Sequence, residues 1–208
     1  MSCKPIIIVA GEPNSVFLEI FFKSLKFKKY KSPLIIVCSK KLLQEQMKKL
    51  KFNYKINIVD KDFTKLDALN NKQINLVNVD YNFKRCFEKI SNKSNNYIKN
   101  CFGVALEIIK KNKIIKFING PISKKHFLKG KTLGITEYLA KKTNKDHRVA
   151  MLIHNKNLSV SPLTTHLALK DVSRKISKKK LQIHVKLIND FYKTNFNKKP
   201  KIAITGLN

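Results

Sequence analysis

The chain has 208 residues, with 44 Lys or Arg against 13 Asp or Glu and a formal net charge of +31. This length can bury the core of one large or two small domains, and the sequence has no 18-residue apolar stretch that would indicate a transmembrane helix. A charge of this size ordinarily indicates a nucleic-acid or anionic membrane partner.

The kind of basic residue argues against such a partner. Three of the basic residues are arginines, Arg85, Arg148 and Arg174, although arginine is the side chain that pairs best with phosphate and guanine. Lysine is spread over the whole chain together with Asn and Ile, as in the product of an AT-rich coding sequence. We expect no specific nucleic acid and no membrane partner, with polyanion binding confined to low salt. A basic polyanion-binding protein is the weaker alternative.

The cysteines and the N-terminus indicate a cytoplasmic protein. Lys4 precedes only a short apolar run, which is typical of a buried first strand rather than a signal peptide. No C-x-x-C pair is present, so we expect reduced, mostly buried thiols and no structural zinc site. The cysteines are Cys3, Cys38, Cys86 and Cys101.

The first half of the chain alternates strand and helix patterns, which favours a mostly parallel sheet with helices on its faces. Helices are predicted over Ser15 to Phe27 and from after Ser39 to about Leu50. The predicted strands are Pro5 to Ala10, Leu34 to Ser39, Ile56 to Val59 and Ile74 to Val79.

Further along, Ser94 is predicted to cap a helix over Asn95 to Lys111. A strand from Ile114 to Ile118 is broken by Asn-Gly-Pro, and Pro121 and Ser123 should open the next helix. A helix is predicted over Thr136 to Lys142.

The C-terminal part should contain a hairpin and a long helix. The two β runs are Val149 to His154 and Leu158 to Thr165, and Ser177 should cap the helix that follows. Ile202 to Thr205 is predicted as the final strand.

Two segments place polar groups directly after predicted strands, where ligands bind in open α/β sheets. One is Asn119-Gly120-Pro121, and the other is Thr164-Thr165-His166. A neutral imidazole at such a position can bind a metal, although a single histidine is more often structural. No dinucleotide-binding glycine fingerprint is present.

Three motifs occur in order: GPISK (Gly120 to Lys124), GITE (Gly134 to Glu137) and TTHLALKD (Thr164 to Asp171). They resemble the 4-hydroxythreonine-4-phosphate dehydrogenase (PdxA) family of pyridoxal phosphate biosynthesis, whose pattern reads Gly-Pro-Ile-Ser-Lys, Gly-His-Thr-Glu and Thr-Thr-His-Leu-Pro-Leu-Lys-Asp. Ala10 to Ile20 resembles the family's opening Gly-Asp-Pro-Ala-Gly-Ile-Gly-Pro-Glu-Ile. The resemblance covers nearly the whole chain.

The resemblance implies an isocitrate/isopropylmalate dehydrogenase-like α/β fold, of which residues 1–208 would be the N-terminal two-thirds. The final KIAITGLN matches a family strand that continues with Pro-His-Ala-Gly-Glu, so we expect the chain alone to lack two of the family's three metal histidines and to be inactive. The implied reaction is NAD-dependent oxidation and decarboxylation of 4-phosphooxy-L-threonine to 3-amino-2-oxopropyl phosphate. The implied partners are this phosphorylated amino acid, a divalent metal (Zn, Mg or Co) and a second subunit.

By resemblance, His166 is a metal ligand, and Ile135 and Thr136 occupy the substrate-binding positions. The Thr136 hydroxyl could equally cap the helix that begins there, and we assign no role to Lys124. The family has a substrate-contacting histidine at position 135, whereas isoleucine has no donor or acceptor. Activity should therefore rise when histidine is restored there, unless another residue has replaced the contact or the substrate differs. A non-catalytic or differently specific relative is the main alternative.

Overall fold

The computed structural model describes residues 4–62, 69–114, 116–129, 134–145 and 148–206. The chain divides into two compact units, Met1–Lys129 and Gly130–Asn208.

The first unit contains a five-stranded parallel sheet. Its strands are β1 (Ile6–Val9), β2 (Leu34–Cys38), β3 (Ile56–Ile58), β4 (Ile74–Asn78) and β5 (Phe117–Asn119). Their order across the sheet is β3-β4-β2-β1-β5, so the chain passes from one side of β1 to the other between β4 and β5. The predicted α/β fold class, a mostly parallel sheet with flanking helices, is confirmed.

Helices cover both faces of this sheet. All five residues of β2 are buried, as expected for a central parallel strand covered on both sides. Ile8 and Ile36 join α1 and α2 in one core cluster, whereas α3 packs against β1 and β2. The helices are α1 (Phe17–Phe27), α2 (Lys40–Lys49) and α3 (Asn95–Asn112).

The polar residues at the helix starts differ in what they do. The Ser39 hydroxyl accepts from Leu42 N at 3.3 Å and caps α2. Ser94 is the N-cap residue of α3, as predicted, but its side chain makes no such bond to the helix. Its hydroxyl instead donates to the buried carboxylate of Glu12 at 2.9 Å, because an unpaired buried charge costs more than an uncapped helix end.

After β5 the chain forms a short π-helix, Lys124–Leu128. The predicted role of Ser123 is confirmed, because its hydroxyl accepts from His126 N at 3.1 Å. Pro121 lies before this turn rather than inside it.

The second unit consists of α4 (Ile135–Lys142), β6 (Ile153–His154), β7 (Ser159–Val160), α5 (Leu169–Lys175) and α6 (Lys178–Phe196). Ser177 caps α6 as predicted, accepting from Lys180 N at 3.2 Å. Gly134, not Thr136, is the N-cap of α4, so the capping role considered for Thr136 is excluded.

The predicted hairpin is shorter in the structure than expected, and the predicted final strand is not formed. The antiparallel hairpin exists but pairs only Ile153 with Val160 and His154 with Ser159, since Pro162 has no N–H to extend the ladder. Residues 202–205 form no strand, and Ile204 is 63% exposed. A strand needs a neighbour to satisfy its backbone groups, and none pairs with this segment in the described part of the chain.

Candidate functional site

The carboxyl ends of β1 and β5 meet where the strand order reverses, which is the usual ligand crevice of an open α/β sheet. The loops that follow these two strands contact each other through their backbones. Gly120 N donates to Val9 O at 2.7 Å, and Glu12 N donates to Pro121 O at 2.8 Å. A Cβ on Gly120 would lie 2.1 Å from Ala10 O. Glycine at position 120 therefore serves close packing of two loops.

The side chain of Glu12 ties these loops to the start of α3. It is 3% exposed and accepts from Asn14 N at 3.3 Å as well as from Ser94 Oγ. Burial, together with the charges of Glu12 and Glu88, raises the pKa of Tyr81 at the same edge. The contacts of Glu12 are those of a residue that fixes loop geometry.

An open cleft of about 920 Å³ lies within the second unit. This volume is within the range of small-molecule sites. Its lining combines threonine hydroxyls, ammonium groups, one carboxyl group and one imidazole with apolar side chains. The polar side chains are Thr136, Glu137, Thr164, Thr165, Lys175, Ser177, Lys179, Lys180 and His184, and the apolar ones include Val149, Met151, Leu163, Ile183 and Leu187.

The predicted site residues are placed differently with respect to this cleft. Thr136 lines it, as do Thr164 and Thr165. Ile135 is half-buried at the start of α4 and is not a lining residue. His166 is exposed, and its backbone has a left-handed φ of 58°, so Thr165 and Leu167 line the cleft while the histidine between them does not.

No metal centre is formed within the described ranges, since no three His, Cys, Asp or Glu side chains there could hold an ion. His166 is a single nitrogen donor, whereas a catalytic zinc site needs about three protein ligands. The described residues therefore do not fit a metal by themselves.

His184 on α6 is a cleft residue that the sequence analysis did not select. Its Nε2 lies 2.7 Å from the hydroxyl oxygen of Ser161. The single hydroxyl proton of Ser161 is donated to Met151 O, so Nε2 must carry the proton of the imidazole. Burial lowers the pKa of His184, and the charge of Lys180 lowers it further. The ring is therefore neutral near pH 7, with Nδ1 as its acceptor.

A periodic signal for this histidine is present in the sequence. Lys180, Ile183, His184 and Leu187 follow the i, i+3, i+4, i+7 spacing of one helix face, and all four line the cleft. A histidine in such a stripe is ordinarily a packing residue, so spacing alone could not indicate a site.

The family described as "Pyridoxal phosphate biosynthetic protein PdxA" matches residues 29–208. The chain belongs to the PdxA family. A 4-hydroxythreonine-4-phosphate dehydrogenase of Sulfurihydrogenibium sp. is 33% identical over 97% of this chain and 62% of its own length. A protein of Oceanobacillus iheyensis, with the proposed activity of a D-threonate 4-phosphate dehydrogenase, is 27% identical over 100% of this chain and 64% of its own. The PdxA chain thus spans less than two-thirds of these relatives.

The fold agrees with solved PdxA structures. The crystal structure of a 4-hydroxythreonine-4-phosphate dehydrogenase from Burkholderia phymatum superimposes with a TM-score of 0.77 at 22% identity, covering 90% of this chain and 58% of that one. The enzyme from Klebsiella pneumoniae gives 0.75 at 19% identity, covering 91% and 59%.

Proposed function

We propose that this PdxA protein takes part in the NAD-dependent oxidation and decarboxylation of 4-phosphooxy-L-threonine to 3-amino-2-oxopropyl phosphate. The family match over residues 29–208 carries the proposal. The position of Thr136 in the cleft supports it, because the resemblance gives this threonine to the substrate. We further propose a cytoplasmic location, supported by the free, buried thiols of Cys38, Cys86 and Cys101.

The cleft has the chemistry that a phosphorylated amino acid requires. Lys175, Lys179 and Lys180 supply positive charge for the phosphate and carboxylate groups. The Thr136 hydroxyl can donate to an oxygen or accept from an ammonium group. Thr164 and Thr165 add two more such groups, so a small polar molecule could be held at several points at once.

We retain His166 as one ligand of the divalent metal (Zn, Mg or Co) that the resemblance implies. It is exposed and thus accessible to an ion. The described residues identify neither a complete metal site nor a site for NAD, so the substrate contacts proposed for the cleft depend on neither group.

Thr136→Val should weaken binding of 4-phosphooxy-L-threonine about tenfold, because it removes one hydroxyl contact to a charged ligand while preserving side-chain shape. Isothermal titration calorimetry of the chain measures the dissociation constant. The matched control is Thr143→Val at the end of the same helix, where the hydroxyl donates to Leu139 O and does not line the cleft. Equal losses in both variants would remove Thr136 from the substrate site.

We also propose that the protein is a homodimer. In the second unit, Leu158, Val160 and Leu169 are 72%, 55% and 77% exposed. A two-stranded ladder is marginal in water by itself and gains stability from a further packed surface. A second copy of the same unit would cover these exposed apolar side chains.

Val160→Lys should convert the dimer to a monomer, because an ammonium group on β7 would have to be buried without a partner. Light scattering after size-exclusion chromatography gives the mass. Val16→Lys is the matched control in the first unit, since Val16 is 59% exposed and Val160 is 55% exposed. A parent chain of about 24.1 kDa in solution would contradict the proposal.

A differently specific relative is the second candidate. It is favoured by Ile135 and by the similarity to the Oceanobacillus iheyensis protein. Comparing the binding of 4-phosphooxy-L-threonine and D-threonate 4-phosphate decides between the two substrates.

A further inference from the structure

The cleft of the second unit contains an imidazole that no motif of the family predicts. The family pattern has a histidine at position 135, immediately before Thr136, and this chain has Ile135. The described lining residues include one histidine, His184, which reaches the cleft from α6 rather than from α4.

The hydrogen bonds of His184 determine which ring nitrogen is available. Nε2 donates to Ser161 Oγ, whose own proton is used by Met151 O. Among the described residues Nδ1 has no hydrogen-bond partner. The Ser161 contact fixes the tautomer and orientation of the ring, and Nδ1 can accept from a ligand hydroxyl or ammonium group.

We infer that His184 makes the substrate contact that Ile135 cannot make. This inference rests on the proposed function, because it concerns the ligand that Thr136 would bind in the same cleft. The contact is specific for a donor group, a hydroxyl or an ammonium, on a molecule that also carries a phosphate. Lys180 lies one helical turn from His184 and also lines the cleft, so it can meet the anionic part of the same molecule.

The lowered pKa of His184 is consistent with this role. Burial and then Lys180 disfavour the protonated ring. The charged groups that line the cleft with it are Lys175, Lys179 and Glu137. A neutral imidazole retains the lone pair that the proposed contact uses.

The test is a variant that removes the acceptor at the position of Nδ1 and keeps the hydrogen bond to Ser161. In His184→Gln the side-chain amide can still donate to Ser161, in the manner of Nε2, but its acceptor oxygen does not occupy the position of Nδ1. We expect the dissociation constant of 4-phosphooxy-L-threonine to rise about tenfold or more by calorimetry.

His154→Gln is the matched control. His154 also lies within hydrogen-bond distance of a serine hydroxyl, 2.9 Å from Ser159 Oγ, but it does not line the cleft. Its replacement should change the dissociation constant less than twofold. Equal effects of the two variants, or no effect of His184→Gln, would overturn the inference.

A second measurement needs no variant. In the ¹⁵N-labelled parent chain, ligand binding should shift the Nδ1 resonance of His184 and leave that of His154 unchanged. D-threonate 4-phosphate is titrated in parallel. If it alone binds and shifts Nδ1, the proposed substrate is wrong and the role of His184 stands. If 4-phosphooxy-L-threonine binds without moving Nδ1, the inference fails and the proposed function stands. Binding of neither ligand would overturn both.

Discussion

Gly120→Ala should lower the free energy of unfolding of the first unit by about 3 kcal/mol or more, because overpacking that forces the backbone to move reaches this range. The added Cβ would lie 2.1 Å from Ala10 O and 2.8 Å from the ring of Phe17. A flexible side chain could turn away, but Ala10 O belongs to the backbone at the end of β1. Relief therefore requires separating the loops that follow β1 and β5.

Urea denaturation followed by circular dichroism measures this loss. The matched control is Gly103→Ala, since Gly103 lies inside α3 and a Cβ there meets nothing within 4 Å. Because alanine is the better helix former, the control should gain about 0.5–1 kcal/mol. The same substitution should thus change the free energy of unfolding in opposite directions at the two positions. A Gly120→Ala chain as stable as the parent would mean that the two loops are not packed as described.

Phe22→Ala should destabilise the first unit by about 3–5 kcal/mol, the range for removing a buried aromatic ring from a core. Phe22 is 0% exposed. Its ring centroid lies 5.4 Å from that of Phe52 and 6.2 Å from that of Tyr54. Truncation leaves a cavity beneath α1, and its neighbours belong to the chain segment before β3, so they cannot close it independently of the sheet.

Phe27→Ala is the control on the same helix, with the same loss of a ring. Phe27 is 83% exposed, so its replacement should change the free energy of unfolding by no more than about 0.5 kcal/mol. Thermal and urea unfolding of the two variants give the comparison. Similar losses would show that burial on α1 does not control stability.

Local patterns predicted the first unit well. Apolar runs of four or five residues, each followed by a helix-period segment, identified β1, α1, β2 and α2 to within about two residues. These elements form largely where their own residues dictate, because a buried parallel strand is apolar on both faces and a flanking helix is apolar on one.

The second unit was predicted less accurately, because its elements depend on neighbours that the sequence does not reveal. Residues 202–205 have strand composition but no partner strand in the described structure. The run after Leu158 stops pairing at Val160, before Pro162. Strand composition alone cannot specify which backbone groups will find hydrogen-bond partners.

By itself the sequence determined the α/β class and the alternation of strands and helices in the first unit. It also contains the motifs that place the chain in the PdxA family. Each of these features depends on short segments of contiguous residues. The tertiary structure decided that Gly120 packs against the end of β1, that Thr136 lines a cleft, and that His184 joins it there. The positions 136 and 184 are far apart in the chain, and only the tertiary structure of the second unit brings them to one cleft.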